Sequence, residues 1–425
     1  MNALLFCSLL IAQPPQSPPA TEPKPVAVNR VEEKELLEAH KKARPRLPMP
    51  PVGEGRGVNN GRFREFYLPD MQSGGAPNAG REPDPAMSLD NTFKVKLFWI
   101  TSRANNCYYC LGHQEHKLAA AGVSDDGIAA LDGDWSEFTP AERAAFAFTR
   151  KLTVEPNKVT TADVDELKKH YKQNQVLEIL LTVAGYNATN RWTDGLNIPA
   201  EENASFFRKG DEKADFSKFN TPTSEKYAKA VSTVATLTAG ATTKCQPSWP
   251  ARPELESRAD VEAALLATAK RTAILPLAEG DGANWVKLLK VFPKTGQGRI
   301  DGVTTAAEKG DLPPRIKAEI AWACARTDRA WYALSVAKAR LKAIGFSDDE
   351  MFAIDDPKST LPDREKLAVA FAHKLAHAPA TVTDADVEGL RKVFPDKQVA
   401  EIVHQVCTAA FFDRLTETAQ LPTDK

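Results

Sequence analysis

Two cysteines three residues apart, Cys107 and Cys110, are the residues of this chain best placed to do chemistry. A Cys-x-x-Cys pair suits redox chemistry, metal binding or covalent haem attachment. For redox work, this spacing across the start of a helix brings both sulfurs within bonding reach. Free N–H groups and the helix dipole there stabilise a thiolate and lower its pKa. Leu111 and the residues after it continue as a helix, and Asn105 and Asn106 suit the N-terminal region of that helix. For metal binding, Cys107, Cys110, His113 and His116 recur at intervals of three. On one continuous helix that set spans about 13 Å, too long for a single tetrahedral zinc. A partial site of Cys107, Cys110 and His113 would need ligands from elsewhere. Covalent haem requires histidine directly after the second cysteine; position 111 is leucine. The plain alternative is a pair of small core residues without chemistry.

His113 stands one turn beyond Cys110 and could pair with its thiolate or shuttle a proton. His116 follows one turn later. The competing reading places both in a solvent-facing polar run with Gln114 and Glu115.

The elements that must hold these residues occur twice. Trp99–Pro199 aligns without gaps on Trp322–Pro422 at a constant offset of 223 residues, from Trp99 to Trp322. Roughly a third of the paired positions are identical, as in a repeated structural unit. Arg103 meets Arg326, Tyr109 meets Tyr332, and Gly122-Val123-Ser124-Asp125-Asp126 meets Gly345-Phe346-Ser347-Asp348-Asp349. Cys107 and Cys110 fall on Ala330 and Ala333, and His113 and His116 on Val336 and Ala339. Cysteines and histidines are therefore absent together from the second copy. Arg191 recurs as Arg414, which favours a structural ion pair. Asn187 and Asn190 become Ala410 and Asp413, which leaves their roles open.

Both copies read as helices. Lys94–Ser102 is apolar at helical spacing, and Leu111–Ala121 runs to a stop at Gly122. Thr139-Pro140-Ala141-Glu142 supplies an N-cap, an N1 proline and a capping-box glutamate. Thr160 and Thr383 start another helix in each copy. Gln175–Asn190 and Gln398–Asp413 form long apolar helices. No alternating β-branched strand of useful length occurs. The expected fold is all-α, two tandem copies of one helical bundle.

The segment Ile100–His113, with Tyr186-Asn187-Ala188-Thr189-Asn190-Arg191 and the closing Leu196-Asn197-Ile198-Pro199, resembles the carboxymuconolactone decarboxylase and alkylhydroperoxidase D superfamily. The likeness covers Lys94–Pro199 well and Ile316–Pro422 more weakly. It implies an all-helical fold that often forms trimers or hexamers. Dithiol members of this family are peroxidases. The resemblance makes Cys110 the peroxide-attacking thiol and Cys107 the resolving thiol, with no cofactor. Two positions depart from the family: its relay glutamate falls on Val95 and its histidine on Gln114, with His113 one place early. The lactone-handling branch does not use a dithiol, and a non-enzymatic envelope module with a static Cys107–Cys110 bridge is a further alternative.

The 425 residues carry 55 basic and 56 acidic side chains, giving a net charge of −1 and no electrostatic case for nucleic acid or an anionic membrane. Residues 1–12 hold a short apolar run that resembles a signal peptide without a basic start. Export to a periplasmic or extracellular location is expected if it acts as one, and a cytoplasmic location otherwise. Residues 13–53 read as a proline-rich linker with a short helix at Val31–Lys42. The two bundles are expected over 54–205 and 251–425, joined by 206–250 with helical character around Ser224–Thr238. Cys324 and Cys407 fit buried positions, with a bridge between them open. The expected partners are a hydroperoxide, a thiol or disulfide reductant and further copies of the chain. No nucleic acid and no membrane span are expected.

Overall fold

A computed structural model describes residues 21–51, 58–71, 84–201, 222–252, 254–356 and 358–424. The apolar start at 1–12, Cys7 and parts of both linkers lie outside the described residues. Among the described residues the protein is all-helical, and its only β pairing is an isolated bridge between Val26 and Cys245. No helix there is long and apolar enough to cross a membrane.

The first half contains α1 (Arg30–His40), α2 (Asn59–Tyr67), α3 (Asn91–Ala104), α4 (Tyr108–Ala120), α5 (Asp125–Ala130), α6 (Pro140–Val154), α7 (Thr161–Lys168) and α8 (Gln173–Gly195). A short α9 (Glu225–Ala228) is followed by α10 (Arg258–Thr268), α11 (Asn284–Leu289) and α12 (Thr295–Glu308). Then come α13 (Pro314–Asp328), α14 (Trp331–Ala343), α15 (Asp348–Ala353), α16 (Asp363–His377), α17 (Asp384–Arg391) and α18 (Asp396–Thr418). From α4 to α8 and from α14 to α18, every first residue recurs at the offset of the sequence repeat.

Local chemistry sets these boundaries. Thr139 caps α6 in a capping box with Glu142, and Thr160 and Thr383 do the same with Asp163 and Asp386. Gly122 and Gly345 follow α4 and α14 at φ 87° and 95°, a conformation that favours glycine. Paired buried contacts repeat too. Trp99 Nε1 and Arg103 Nε donate to Asp132 at 3.0 and 2.5 Å. Trp322 Nε1 and Arg326 Nε donate to Asp355 at 3.2 and 2.9 Å.

The halves share one apolar core, centred on α8 against α18. Two arginines tie the halves reciprocally. Arg191 Nη2 donates to Ala376 O at 2.6 Å, and Arg414 Nη2 to Thr153 O at 3.4 Å. Ala376 and Thr153 are themselves repeat partners, so the contact has the self-complementarity of a two-fold interface. Arg414 forms the expected ion pair, with Asp328 at 2.8 Å. Arg191 instead hydrogen-bonds the Asn187 carbonyl and Oδ1 at 3.2 and 3.0 Å.

Two stretches read as linkers are packed against the first half where they are described. Val26, Ala27 and Val28 are buried, and Ala27 O accepts from Arg103 Nη2 at 2.6 Å. Arg30 pairs with Glu33 and Asp125 at 3.0 and 2.8 Å. The helical character expected around Ser224–Thr238 is confined to α9. The run Val231–Thr238 is rich in β-branched residues, which lose rotamer freedom in a helix. It is irregular and bends at 233–235, where Val234 N and Ala235 N donate to Ser232 Oγ at 3.2 and 3.1 Å, and it is anchored by Ser232 N donating to Val28 O and Thr233 N to Asp132 O, both at 2.8 Å. Cys324 and Cys407 are buried and free, not bridged.

Candidate dithiol site

The turn between α3 and α4 delivers the two cysteines. Asn105 caps the C-terminus of α3, and Asn106 takes a left-handed φ of 57°. Cys107 is itself the N-cap of α4, and its sulfur accepts from Cys110 N–H at 3.4 Å. Asn105 and Asn106 therefore do not cap α4, as their position had suggested. Asn105 Nδ2 instead donates to Asn187 Oδ1 and Asn190 Oδ1 on α8, at 3.2 and 2.9 Å. The three asparagines thus tie the turn to α8.

Both thiols are free and meet at one hydroxyl. Thr193 Oγ1 lies 3.1 Å from Cys107 Sγ and 3.3 Å from Cys110 Sγ. The Thr193 hydroxyl lies within donating distance of the Thr189 and Asn190 carbonyls, both at 3.1 Å. A hydroxyl has one proton and two lone pairs. Donating to a carbonyl leaves Thr193 able to accept from both thiols.

Burial overrides the helix dipole at Cys107. The expectation of a lowered thiol pKa there is corrected: desolvation pushes it well above its ordinary value, and the neighbouring Cys110 and Asp194 add to the rise. Asp194 is buried beside Cys107 and salt-bridged to Lys24 at 2.6 Å. Its own carboxyl is raised by burial, against the pull of Lys24. Lys24 thus brings one cation to the dithiol from the N-terminal stretch.

His113 faces a different acid. Its Nε2 sits 2.9 Å from Glu201 Oε2, and its ring lies 4.6 Å from that of Tyr109. Tyr109 OH donates to Glu201 Oε1 at 3.0 Å, and Asn59 N–H donates to the same oxygen at 2.6 Å. Burial alone would raise the Glu201 pKa, but the His113 and Asn59 bonds outweigh it and hold the carboxyl below its ordinary value. The site therefore brings Cys107 to Cys110, and His113 to a carboxylate. His116 lines, with His113, an adjoining cavity of about 470 Å³. Val95 and Gln114, at the family's relay positions, are both buried. Among the described residues, no group of three or more His, Cys, Asp or Glu side chains is arranged to hold a metal ion.

Sequence reasoning missed Glu201, Thr193, Asp194 and Lys24. The repeat carried a signal for three of them. Thr193 recurs as Thr416, Asp194 as Glu417, and Glu201 as Asp424, two residues beyond the aligned end. Asp424 accepts from Tyr332 OH at 2.6 Å and from Asn284 N–H at 2.7 Å, the same pattern as Glu201. The carboxylate and tyrosine belong to the repeated scaffold, and His113 is the addition. Ala330 holds φ −90° and ψ 87° against −91° and 89° at Cys107, so the turn needs no sulfur.

Comparison with models of known protein families and with curated proteins finds no match.

Proposed function

We propose that the protein is a thiol-dependent peroxidase or disulfide oxidoreductase of the alkylhydroperoxidase D type, working through Cys107 and Cys110. The second half is a degenerate copy that supplies an interface. The observation that carries this is the shared Thr193 hydroxyl: two free thiols converge on one acceptor, in a turn whose repeat holds its shape with alanines. A structural role for the sulfurs would not leave the backbone indifferent to their loss.

The chemistry balances with a hydroperoxide and an external dithiol. Cys110 sulfur attacks the terminal peroxide oxygen, the O–O bond breaks, and an alcohol leaves with a proton. Cys110 becomes a sulfenic acid. Cys107 sulfur then attacks Cys110 sulfur, water leaves, and a disulfide forms. A dithiol reductant returns both thiols by exchange. A raised pKa suits Cys107 as the resolving group, which stays protonated until it is used. His113 is one turn from Cys110 and can take its proton, with Glu201 stabilising the imidazolium. Glu201, on the chain that follows α8, would serve in place of the missing family glutamate.

Consumption of hydrogen peroxide and cumene hydroperoxide with dithiothreitol tests the proposal in wild type, Cys110→Ser and Cys107→Ser. Dithiol-dependent turnover in wild type, lost in Cys110→Ser, is expected. No turnover in wild type, or equal turnover in all three, would sink it.

A further inference from the structure

A second cavity, of about 320 Å³, lies where the two halves meet, bounded by α2, α8, α12 and α18. Arg64, Arg299 and His404 line it, and among the described residues no carboxylate does. The two guanidiniums are held by rings rather than by acids. Arg64 lies 4.6 Å above the Trp192 ring, and Arg299 5.3 Å above that of Phe411. Arg64 Nε donates to Asn60 Oδ1 at 3.2 Å, which leaves its terminal nitrogens for another acceptor.

Glycine makes room for this arrangement. A Cβ at Gly185, in the middle of α8, would stand 2.8 Å from Arg299 Nη2. A mid-helix glycine costs about 1 kcal/mol relative to alanine, and here it admits a guanidinium against the helix backbone. On the opposite wall, a Cβ at Gly298 or Gly302 of α12 would meet nothing within 4 Å. The remaining walls include apolar Leu68, Val303 and Phe411.

Two unneutralised cations in a partly desolvated space are an unfavourable pairing. Burial disfavours the charged form of each, and Arg299 adds to the penalty at Arg64. His404 is kept neutral there, its pKa lowered to about 3 by burial first and Arg64 next. It can therefore donate one hydrogen bond without adding a third charge. An anion would relieve the repulsion and satisfy the forked guanidinium donors.

We infer that this cavity between the halves binds a small organic acid, its carboxylate between Arg64 and Arg299 and its apolar body along Leu68, Val303 and Phe411. The volume falls within the range of small-molecule pockets. The inference does not depend on the dithiol's redox role, although Thr189 of the cavity wall is one turn from Thr193.

Titration calorimetry on the full chain tests it, with octanoate, 1-octanol and inorganic phosphate as probes. Octanoate is expected to saturate one site. Arg299→Gln should weaken it at least about ten-fold, as expected for loss of a charged hydrogen bond. Gly302→Leu, whose side chain enters open space, should abolish binding while leaving thermal unfolding unchanged or raised. Octanol should bind at least about ten-fold more weakly than octanoate. Absence of octanoate binding, or equal binding in wild type and both variants, would overturn the inference. Octanol binding as tightly as octanoate would remove the guanidinium role, and phosphate binding as tightly would remove the apolar one.

Discussion

The turn before α4 and the turn before α14 are the same piece of backbone with different contents. Asn106 and Arg329 share a left-handed φ, 57° and 54°, and Cys107 and Ala330 share their dihedrals to within a few degrees. Tyr109 and Tyr332 each rest on a carboxylate, Glu201 or Asp424. The first half adds two thiols and an imidazole to this frame, whereas the second fills the places with Ala330, Ala333 and Val336. The support of the turn also differs. Neutral amides of Asn105, Asn187 and Asn190 hold the first, and the ion pair of Asp328 and Arg414 the second. The difference teaches that the scaffold does not require the reactive groups, and that amides in one copy do the anchoring that an ion pair does in the other.

The largest effect expected is on turnover. Cys110→Ser should reduce peroxide consumption to the uncatalysed background with no change in thermal unfolding. The comparison can also be reversed. Ala330→Cys, Ala333→Cys and Val336→His, introduced together into Cys110→Ser, should restore measurable peroxide-dependent disulfide formation in the second half, because Asp424 already stands where the introduced imidazole would need its partner. Failure of the graft to oxidise would show that the frame alone does not suffice.

Next in size are the arginines at the junction. Arg414→Met strands the buried Asp328 carboxylate and should destabilise the protein by about 3–5 kcal/mol in denaturant titrations. Arg191→Met loses hydrogen bonds to uncharged groups and should cost about 1–3 kcal/mol. Equal losses would contradict the contrast drawn between the two turns.

Glu201→Gln should lower turnover about 10–100-fold, as for loss of a group that orients a functional histidine, and should shift the pH profile of turnover. Asp424→Asn should leave both unchanged, although each variant should lose about 1 kcal/mol of stability with its hydrogen bonds. A matching fall in turnover for both would make the acids merely structural.

The effect that is smallest at neutral pH, and grows only in acid, concerns stability. His40, hydrogen-bonded to Ile198 O at 2.9 Å, has its pKa lowered from 6.5 to about 3, by burial first and Lys24 next. A depressed folded-state value favours the neutral ring, so its contribution is present above the unfolded pKa. It is lost as pH falls from about 6.5 towards 3. Wild type should therefore lose stability more steeply than His40→Gln across that window, by up to about 1.4 kcal/mol per pH unit. A parallel pH dependence of the two proteins would remove His40 from the account.

The helices were legible because their signals are local. Thr139, Thr160 and Thr383 announce capping boxes, and Gly122 ends α4 through its own backbone. The dithiol was legible for the same reason, since four consecutive residues contain it. Its surroundings were not, because they arrive from far along the chain. Glu201 reaches His113 across 88 positions, and Lys24 reaches Asp194 across 170. The lowered thiol pKa expected from a helix start failed at Cys107 because sequence shows the dipole but not the burial. The proline-rich start hid its packing similarly: Val26, Ala27 and Val28 are short apolar residues whose partners lie in α3, in α4 and at Ser232 and Cys245.

Cysteine mapping by mass spectrometry after one equivalent of cumene hydroperoxide bears most directly on the claim that the first half alone carries the redox chemistry. A disulfide between Cys107 and Cys110, with Cys245, Cys324 and Cys407 still thiols, is the predicted result. Oxidation that begins at Cys245, Cys324 or Cys407, or a Cys107–Cys110 pair left untouched, would contradict it.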